Sequence, residues 1–182
     1  MAFLTIPDRQ TVIRDAAAIK TFLNGKGILY EQWQAAVPLR DDATQAEVLA
    51  AYAHQLTPYM TANGYQTADV INVTPKTENL EALRTKFLSE HTHTEDEVRF
   101  FVDGEGMFWF NLEDGDNVFC MTCEAGDLMS VPRNTKHWFD LGEKNFVKAI
   151  RVFIDMSGWV PHYTESQIDK KYNGTVPLQE IL

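Results

Sequence analysis

The chain has 182 residues, of which 45% are hydrophobic and 23% are charged, and its formal net charge is −10. This length and composition suit a single globular domain spanning residues 1–182, and the negative charge argues against nucleic acid or an anionic membrane surface as a partner. The chain has no run of 18 apolar residues and no basic segment followed by a long apolar one near its start. We therefore expect a cytoplasmic protein without a membrane segment, and a monomer, because no long apolar edge strand stands out.

The first half of the chain is predicted to be mostly helical, with short strands between the helices. Asp15 can cap a first helix that ends near Gly25, and the segment ILYEQWQ then predicts a short strand. A second helix is expected to begin near Ala43 and to end at Gly64, with a kink or a break at Pro58. A strand at ADVINV and a helix at TENLEALRTKFL complete this half.

From His91 onward, short β-prone runs alternate with turn residues, which is typical of a sandwich or a small barrel. We therefore expect a β-barrel core at about 91–156, with the helices and strands of about 1–90 packed on its outside. The segments EDGD (Glu113–Asp116) and EAGD (Glu124–Asp127) are predicted turns. The predicted strands lie at about Glu97–Val102, Met107–Leu112, Val118–Thr122, Leu128–Val131, Lys136–Phe139 and Phe146–Ile154.

The two cysteines, Cys120 and Cys123, stand in the segment FCMTC. A C-x-x-C pair can indicate a redox site or a zinc site. Residues three apart in a strand point to opposite faces, however, and no second pair completes a four-thiolate site. We therefore expect free thiols that are buried or half-buried in a reducing compartment.

The segment EHTHTEDEVRFF, Glu90–Phe101, contains a candidate metal site. In a helix His91 and His93 would lie roughly 200° apart around the axis, whereas in a strand they would point the same way. Glu97 and Arg99 share this parity if the strand is unbroken, but a turn within TED would limit the argument to the two histidines. A strand therefore fits a metal site, and a hydrated strand edge is the alternative.

A fourth candidate ligand comes from the segment GDLMSVPRNTKHWF, in which Gly126 opens a strand, Pro132 closes it and His137 begins the next. An antiparallel strand can bring His137 across from the first two histidines. Three imidazoles and one carboxylate suit iron, nickel, manganese or zinc, and an octahedral ion would keep two positions open for a substrate or water. His54, within a helix, and His162, near the C-terminus, are assigned no role in this site.

The chain resembles the cupins in a two-part series of seven residues, in which Gly104 follows His91, His93 and Glu97, and Gly126, Pro132 and His137 come after. Two positions depart from the cupin pattern, because Asn134 stands where glycine is usual and Leu141 where asparagine is usual. Asparagine tolerates a left-handed turn nearly as well as glycine does, so we expect the turn to be kept. The resemblance implies a mainly β fold with α-helices, a jelly-roll-like cupin barrel decorated by N-terminal helices.

The chain is most similar to one family of cupins, the acireductone dioxygenases of the methionine salvage pathway. The similarity is carried by KFLSEHTHTEDEVRFFVDGEG and SVPRNTKHWFDLG, and it extends to KGILYEQWQA, AAYAHQL, GYQTADVI and AIRVFIDMSGW. It implies an enzyme that cleaves acireductone (1,2-dihydroxy-3-oxo-5-methylthiopentene) with O₂, using one Fe²⁺ or Ni²⁺ per chain held by His91, His93, Glu97 and His137. In this family the iron form gives formate and 4-methylthio-2-oxobutanoate, and the nickel form gives formate, carbon monoxide and 3-methylthiopropanoate.

Five further residues near the ligands are candidates for the site. Arg99 would face the barrel interior and need an anion, which is either the enediolate substrate, making Arg99 catalytic, or a buried carboxylate such as Asp96 or Asp103. Phe87 and Phe139 would line the substrate pocket and Trp159 would close its mouth, with plain core packing as the alternative. Asp96 would accept a hydrogen bond that orients a ligand histidine, unless it lies on the surface.

The sequence is also compatible with two alternative functions. Cupins also include sugar-phosphate isomerases and other dioxygenases, but an isomerase would need a phosphate-binding cluster of basic residues. Arg99 is the only basic residue within EHTHTEDEVRFF, while Arg133 and Lys136 lie in a turn. A non-enzymatic binding or storage cupin is the third possibility, although such proteins often lack one or more ligands and all four positions are filled here.

Overall fold

The computed structural model describes residues 2–113, 118–155 and 159–173. These residues form eleven strands, four α-helices and a short 3-10 helix at Pro7–Arg9. The strands are β1 (Phe3–Ile6), β2 (Thr11–Ile13), β3 (Leu29–Gln32), β4 (Thr67–Val73), β5 (His91–Thr92), β6 (Glu97–Asn111), β7 (Val118–Glu124), β8 (Asp127–Val131), β9 (His137–Asp140), β10 (Val147–Phe153) and β11 (His162–Tyr163). The helices are α1 (Ala16–Gly25), α2 (Gln45–Asn63), α3 (Leu80–Leu88) and α4 (Ile168–Tyr172).

The strands form two antiparallel sheets that share β6. The first half of β6 pairs with β8 and β10, which gives the order β4–β10–β6–β8–β3. The second half pairs with β7 and β9, in the order β11–β5–β9–β6–β7–β1–β2. This arrangement confirms the predicted fold class, and it adds β1 and β2, which the sequence pattern did not predict.

The main core lies between the two sheets and also receives side chains from two helices. It contains Phe108 and Phe119 from one sheet and Ala149 from the other. Ile19 of α1 is buried within it, and Phe87 of α3 packs against it. Two of the helices, α1 and α3, therefore contribute apolar residues to the main core.

The outer faces of the sheets carry two smaller apolar clusters. Tyr52 of α2 contacts Phe100 of β6, with ring centroids 4.6 Å apart, so α2 covers the outer face of the first sheet as expected. On the second sheet, Trp109 and Trp138 stack in parallel 5.7 Å apart, and Tyr172 of α4 packs against both. These clusters explain why the strands between them are buried on both faces.

Capping residues mark the start of α1 and both ends of α2. The Asp15 carboxylate accepts a hydrogen bond from the first turn of α1, Thr44 caps α2, and Gly64 ends α2 with a φ of 78°. Of the kink or break predicted at Pro58, the break is wrong, since α2 continues through this residue. The carbonyl that Pro58 leaves without a donor belongs to the exposed His54, where water can satisfy it. No described helix is long and apolar enough to cross a membrane.

The long strand β6 replaces two strands predicted on either side of Gly104. Opposite β10, its pairing passes from Asp103 to Phe101, so Val102 is the extra residue of a β-bulge. Before the bulge, odd-numbered residues such as Phe101 face the main core; after it, even-numbered residues such as Phe108 do. The bulge therefore lets one strand serve both sheets, and a single alternation pattern does not describe it.

Gly104 and Asn134, at two positions of the cupin pattern, have a positive φ. Gly104 has a φ of +75°, and a Cβ there would lie 2.2 Å from the carbonyl oxygen of Phe146, so the position requires glycine. Asn134 has a φ of 62°, which confirms that asparagine keeps the left-handed turn. The predicted EDGD turn lies outside the described residues from Asp114 onward, and the strands on either side of it, β6 and β7, pair as a hairpin requires.

Cys120 and Cys123 are buried free thiols, as predicted. They lie on opposite faces of β7, because Cys123 belongs to the main core and Cys120 to the outer cluster with Trp138. Burial raises the pKa of both thiols above the usual range. The pair is therefore structural packing within this fold.

Candidate metal centre

The four predicted ligands, His91, His93, Glu97 and His137, are buried and converge on one point, with candidate donor atoms all within 4.8 Å of one another. His91 lies in β5 directly opposite His137 in β9, which is the antiparallel pairing that the sequence predicted. The chain bends between His93 and Glu97, but Glu97 still faces the histidines at the start of β6. The structure thus brings together the whole predicted donor set.

Each imidazole is oriented by a backbone carbonyl that contacts its Nδ1 atom. The distances from Nδ1 to oxygen are 2.7 Å for His91 to Ser89, 3.0 Å for His93 to Val160 and 2.8 Å for His137 to Thr135. With the proton on Nδ1 donated to a carbonyl, each Nε2 keeps its lone pair for a metal ion. The backbone therefore sets both the tautomer and the direction of all three ligands.

Asp96 does not have the predicted contact with a ligand histidine. Its carboxylate accepts a hydrogen bond from the backbone N–H of Arg133 at 2.9 Å, in the turn that precedes β9. Because Glu97 points toward the cluster, its chain neighbour Asp96 points away. The backbone carbonyls of Ser89, Val160 and Thr135 take the orienting role predicted for Asp96. Asp96 instead helps to hold the turn before His137.

Glu97 and His91 are held in the protonation states that bind a metal ion. Burial acts to raise the pKa of Glu97, but the charge of Arg99 and the hydrogen bonds with His137 and His93 outweigh it and hold that pKa well below its usual range. Burial, together with the neighbouring His137, lowers the pKa of His91 to about 4. Glu97 is therefore a carboxylate, and His91 is neutral near pH 7.

The spacing of the donors fits a divalent metal ion. The Nε2 atoms of His93 and His137 each lie 3.1 Å from Oε2 of Glu97. Neighbouring donors around an octahedral ion with bonds of about 2.1 Å lie about 3.0 Å apart. Three imidazoles and one carboxylate suit iron, nickel, manganese or zinc, so the residues present can hold the predicted type of ion.

Arg99 lies beside this cluster and is only 4% exposed. Its Nη2 donates to Oε1 of Glu97 at 2.7 Å, so the buried anion that Arg99 contacts is a predicted metal ligand. Its Nε and Nη1 are buried and have no hydrogen-bond partner among the described residues. The guanidinium carbon lies 4.2 Å from the ring centroid of Phe139 and 5.7 Å from that of Trp159. Two buried donors are thus available to a ligand.

A cavity of about 800 Å³ opens onto the cluster. The three predicted pocket residues, Phe87, Phe139 and Trp159, all line it. The rings of Phe87 and Phe139 meet edge to face with centroids 6.3 Å apart, and Trp159 packs against Phe153 at 4.7 Å. Pocket lining and core packing were posed as alternatives, but these aromatic residues do both.

Four charged residues that line the cavity were not predicted as site residues: Asp69, Lys86, Arg151 and Asp155. Arg151 in β10 is paired through both oxygens to Asp69 in β4, with Nε–Oδ1 and Nη2–Oδ2 distances of 2.8 and 2.5 Å. A signal was available, because Arg151 interrupts the apolar strand segment VKAIRVF. The exposed His54 and His162 are not part of the described cluster, in agreement with the prediction.

Comparison with known proteins agrees with this geometry. The family model of the ARD/ARD′ family matches residues 8–161. The chain belongs to this family. Acireductone dioxygenase of Picosynechococcus sp. is 56% identical over 172 residues, which cover 94% of this chain and 97% of that relative. Acireductone dioxygenase of Methylococcus capsulatus is 44% identical, with 94% of each chain covered.

Among solved structures, the chain is similar to acireductone dioxygenase from Bacillus anthracis with a cadmium ion in its active centre. The two share 38% sequence identity and a TM-score of 0.81, over 90% of this chain and 98% of the other. The similarity therefore extends over nearly the whole chain.

Proposed function

We propose that this protein is a metal-dependent dioxygenase that cleaves acireductone (1,2-dihydroxy-3-oxo-5-methylthiopentene) with O₂ in methionine salvage. The observation that carries the proposal is the buried set of three histidines and Glu97 beside the unpaired donors of Arg99. The names of the relatives support it, since the chain covers nearly all of proteins named acireductone dioxygenase at up to 56% identity.

One Fe²⁺ or Ni²⁺ ion per chain, held by His91, His93, Glu97 and His137, would act as a Lewis acid and a template that fixes the enediolate in one shape. We propose formate and 4-methylthio-2-oxobutanoate as products of the iron-loaded protein, and formate, carbon monoxide and 3-methylthiopropanoate as products of the nickel-loaded protein. Each product set contains all the atoms of acireductone and one O₂. The protein ligands themselves carry a single negative charge, that of Glu97, so a bound divalent ion leaves a net positive centre that favours an anionic substrate.

Arg99 is the residue that we propose to contact the substrate directly. Its Nη2 remains on Glu97, while Nε and Nη1 can donate to an enediolate oxygen. Hydrogen bonds between charged groups are strong in a buried site, and the face of Phe139 fixes the plane of the guanidinium. Arg99 would therefore bind the anionic form of the substrate in one orientation.

The apolar part of the cavity is proposed to enclose the methylthio tail and to exclude water. Its lining includes Ile71, Val73 and Leu83 together with Phe87 and Phe139. Exclusion of bulk water would protect the enediolate from protonation and strengthen the charge interactions at Arg99. Trp159, which packs on Phe153, is proposed to close the mouth.

The proposal is tested by stripping the protein of metal, reloading it separately with Fe²⁺ and Ni²⁺, and supplying acireductone and O₂. We expect O₂ consumption and formate from both loaded forms, with carbon monoxide from the nickel form alone. Metal-free protein serves as the control for the uncatalysed reaction. If neither loaded form removes acireductone faster than this control, the proposed function is wrong.

We also propose that the protein acts as a monomer in the cytoplasm. The four candidate ligands converge within one chain, and Arg99 of the same chain contacts one of them, which supports the proposal. Light scattering of the metal-loaded protein should give a mass close to that of one chain of 20.8 kDa.

A further inference from the structure

The cavity contains a second arginine whose position relative to Arg99 is set by strand register. In β10, Arg151 lies directly opposite Arg99 of β6 on one side and directly opposite Asp69 of β4 on the other. The three residues thus form a row across three neighbouring strands, and all of them line the cavity. Glu97 continues this row of charges beyond Arg99, through its 2.7 Å contact with Nη2.

The signs of the charges along this row leave two cations facing each other. Asp69 neutralises Arg151 from the β4 side and Glu97 contacts Arg99 from the metal side, while the two arginines are neighbours in the middle. Like charges opposite each other on paired strands are destabilising, and the register puts Arg151 directly opposite Arg99. An anion between the two guanidiniums would relieve this repulsion.

The space near both arginines is rich in unused donors. Both guanidinium carbons lie close to one ring, at 5.7 Å for Arg99 and 5.6 Å for Arg151 from the centroid of Trp159. The indole Nε1 of Trp159, like Nε and Nη1 of Arg99, is buried without a hydrogen-bond partner among the described residues. Buried donors without acceptors are costly, so this corner of the cavity suits a ligand with several oxygen lone pairs.

We propose that Arg151 is a second anion-binding residue of the cavity and that Asp69 is its positioning residue. Three cationic and three acidic side chains line the cavity, so a divalent ion at the metal centre makes the whole lining net positive. The ligand class is a small chelating anion, an enediolate or a 2-oxo acid, whose oxygens remain within reach of Arg99 and Arg151. That the natural ligand is acireductone rests on the proposed function.

Asp69 acts through Arg151 and not on the ligand. Its two oxygens accept from Nε and Nη2, which fixes the plane of the guanidinium and leaves Nη1 outside the pair. The Arg151 side chain is 29% exposed, so without this pair it could turn toward solvent instead of the cavity. An arginine held in place in advance loses less entropy when it binds an anion.

The test measures binding of 2-oxobutanoate, a redox-inert chelating monoanion, to the nickel-loaded protein by isothermal titration. Arg151→Gln should weaken this binding by about tenfold or more, because a charge-assisted hydrogen bond is removed. Asp69→Asn should weaken it about three- to tenfold by releasing Arg151, and Asp69→Glu should recover most of the loss. Glu105→Gln, which breaks the exposed Lys144 pair away from the row, is the matched control and should bind as the unchanged protein does.

A charge swap separates positioning from simple stabilisation. The double variant Asp69→Arg with Arg151→Asp keeps an opposite-charge pair between β4 and β10, so its thermal midpoint should stay near that of the unchanged protein. It also puts a carboxylate opposite Arg99, so 2-oxobutanoate binding should remain weak. If the double variant recovered both the thermal stability and the 2-oxobutanoate binding of the unchanged protein, the pair would be only a structural salt bridge. That result would overturn the proposal.

Two further outcomes distinguish this inference from the proposed function. If Arg151→Gln binds 2-oxobutanoate within twofold of the unchanged protein, or if the unchanged protein binds none, Arg151 is not an anion-binding residue even where acireductone is turned over. If binding depends on Arg151 but the metal-loaded protein leaves acireductone untouched, the inference stands and the proposed substrate is wrong. Anaerobic titration with acireductone provides the same comparison for the proposed substrate.

Discussion

Two groups of charged side chains contribute to the cavity, and they are held in different ways. The metal cluster, made of His91, His93, Glu97 and His137, is 1–6% exposed, and backbone carbonyls orient its histidines. The β4–β10 pair, made of Asp69 and Arg151, is 38% and 29% exposed, and its side chains hold each other.

This difference predicts different responses to change. A ligand of the metal cluster has no mobile substitute nearby, and its loss leaves buried polar groups unsatisfied. The β4–β10 pair lies closer to water, which can partly replace a lost partner. Substitutions in the metal cluster should therefore abolish the enzymatic activity, whereas substitutions farther from it should reduce that activity only in part.

The largest effect is expected from His137→Ala. Three remaining donors should hold the ion much more weakly, so metal content after dialysis should fall close to zero and activity should fall to the uncatalysed rate. A ligand present at 100 times its Kd stabilises a folded protein by about 2.7 kcal/mol, and the variant should lose this metal-dependent rise in Tm. Elemental analysis and thermal unfolding with and without Ni²⁺ measure both effects.

The matched control for this variant is His162→Ala, which removes an exposed histidine in β11. It should keep its metal and its activity. Full metal content in His137→Ala would contradict the four-ligand centre, and with it the contrast between the metal cluster and the β4–β10 pair.

A second large effect is expected from Arg99→Gln, which tests whether the guanidinium serves the metal cluster or the ligand. Loss of two charge-assisted hydrogen bonds, each contributing about 1.5–3 kcal/mol, should lower kcat/KM by roughly 100-fold or more. Metal content should change little, because the ion itself would neutralise Glu97. Loss of metal in step with activity would instead make Arg99 a support of the metal cluster only.

The metal cluster could be predicted from the sequence because most of its residues lie close together along the chain. His91, His93, Glu97 and Arg99 lie within nine residues, and strand alternation alone relates the first two. His137 needed only one antiparallel pairing, which the structure confirms. The cap of α1 at Asp15, the end of α2 at Gly64 and the turn at Asn134 were predictable for the same reason, since each depends on a few neighbouring residues.

The β4–β10 pair could not be predicted from the sequence, because Asp69 and Arg151 are 82 positions apart and are brought together only by strand register. The bulge at Val102 likewise depends on how β6 meets β10, and no local pattern marks the parity change it causes. Asp96 was misassigned because proximity in sequence to Glu97 placed it near the histidines, whereas alternation along the strand turns it away.

The smallest effect is expected from Gly106→Ala. This substitution alters the packing of the cavity but leaves every charged side chain in place. A Cβ at this position would lie 2.3 Å from Cζ of Phe139, so the ring must shift. Overpacking of this kind costs about 1–3 kcal/mol of the free energy of unfolding. Because Phe139 packs on the guanidinium of Arg99 at 4.2 Å, kcat/KM should also fall several-fold while metal content stays full.

Gly25→Ala is the matched control, because a Cβ at that position would meet no atom within 4 Å and the residue ends α1 away from the cavity. It should leave both stability and kcat/KM close to those of the unchanged protein. If Gly106→Ala lost stability but kept full activity, the position of Phe139 would not affect the function of Arg99. Partial reductions of kcat/KM would then be expected only for substitutions of charged residues. Equal metal content in both variants, with activity reduced only in Gly106→Ala, would place Phe139 among the groups that tune the site without holding the ion.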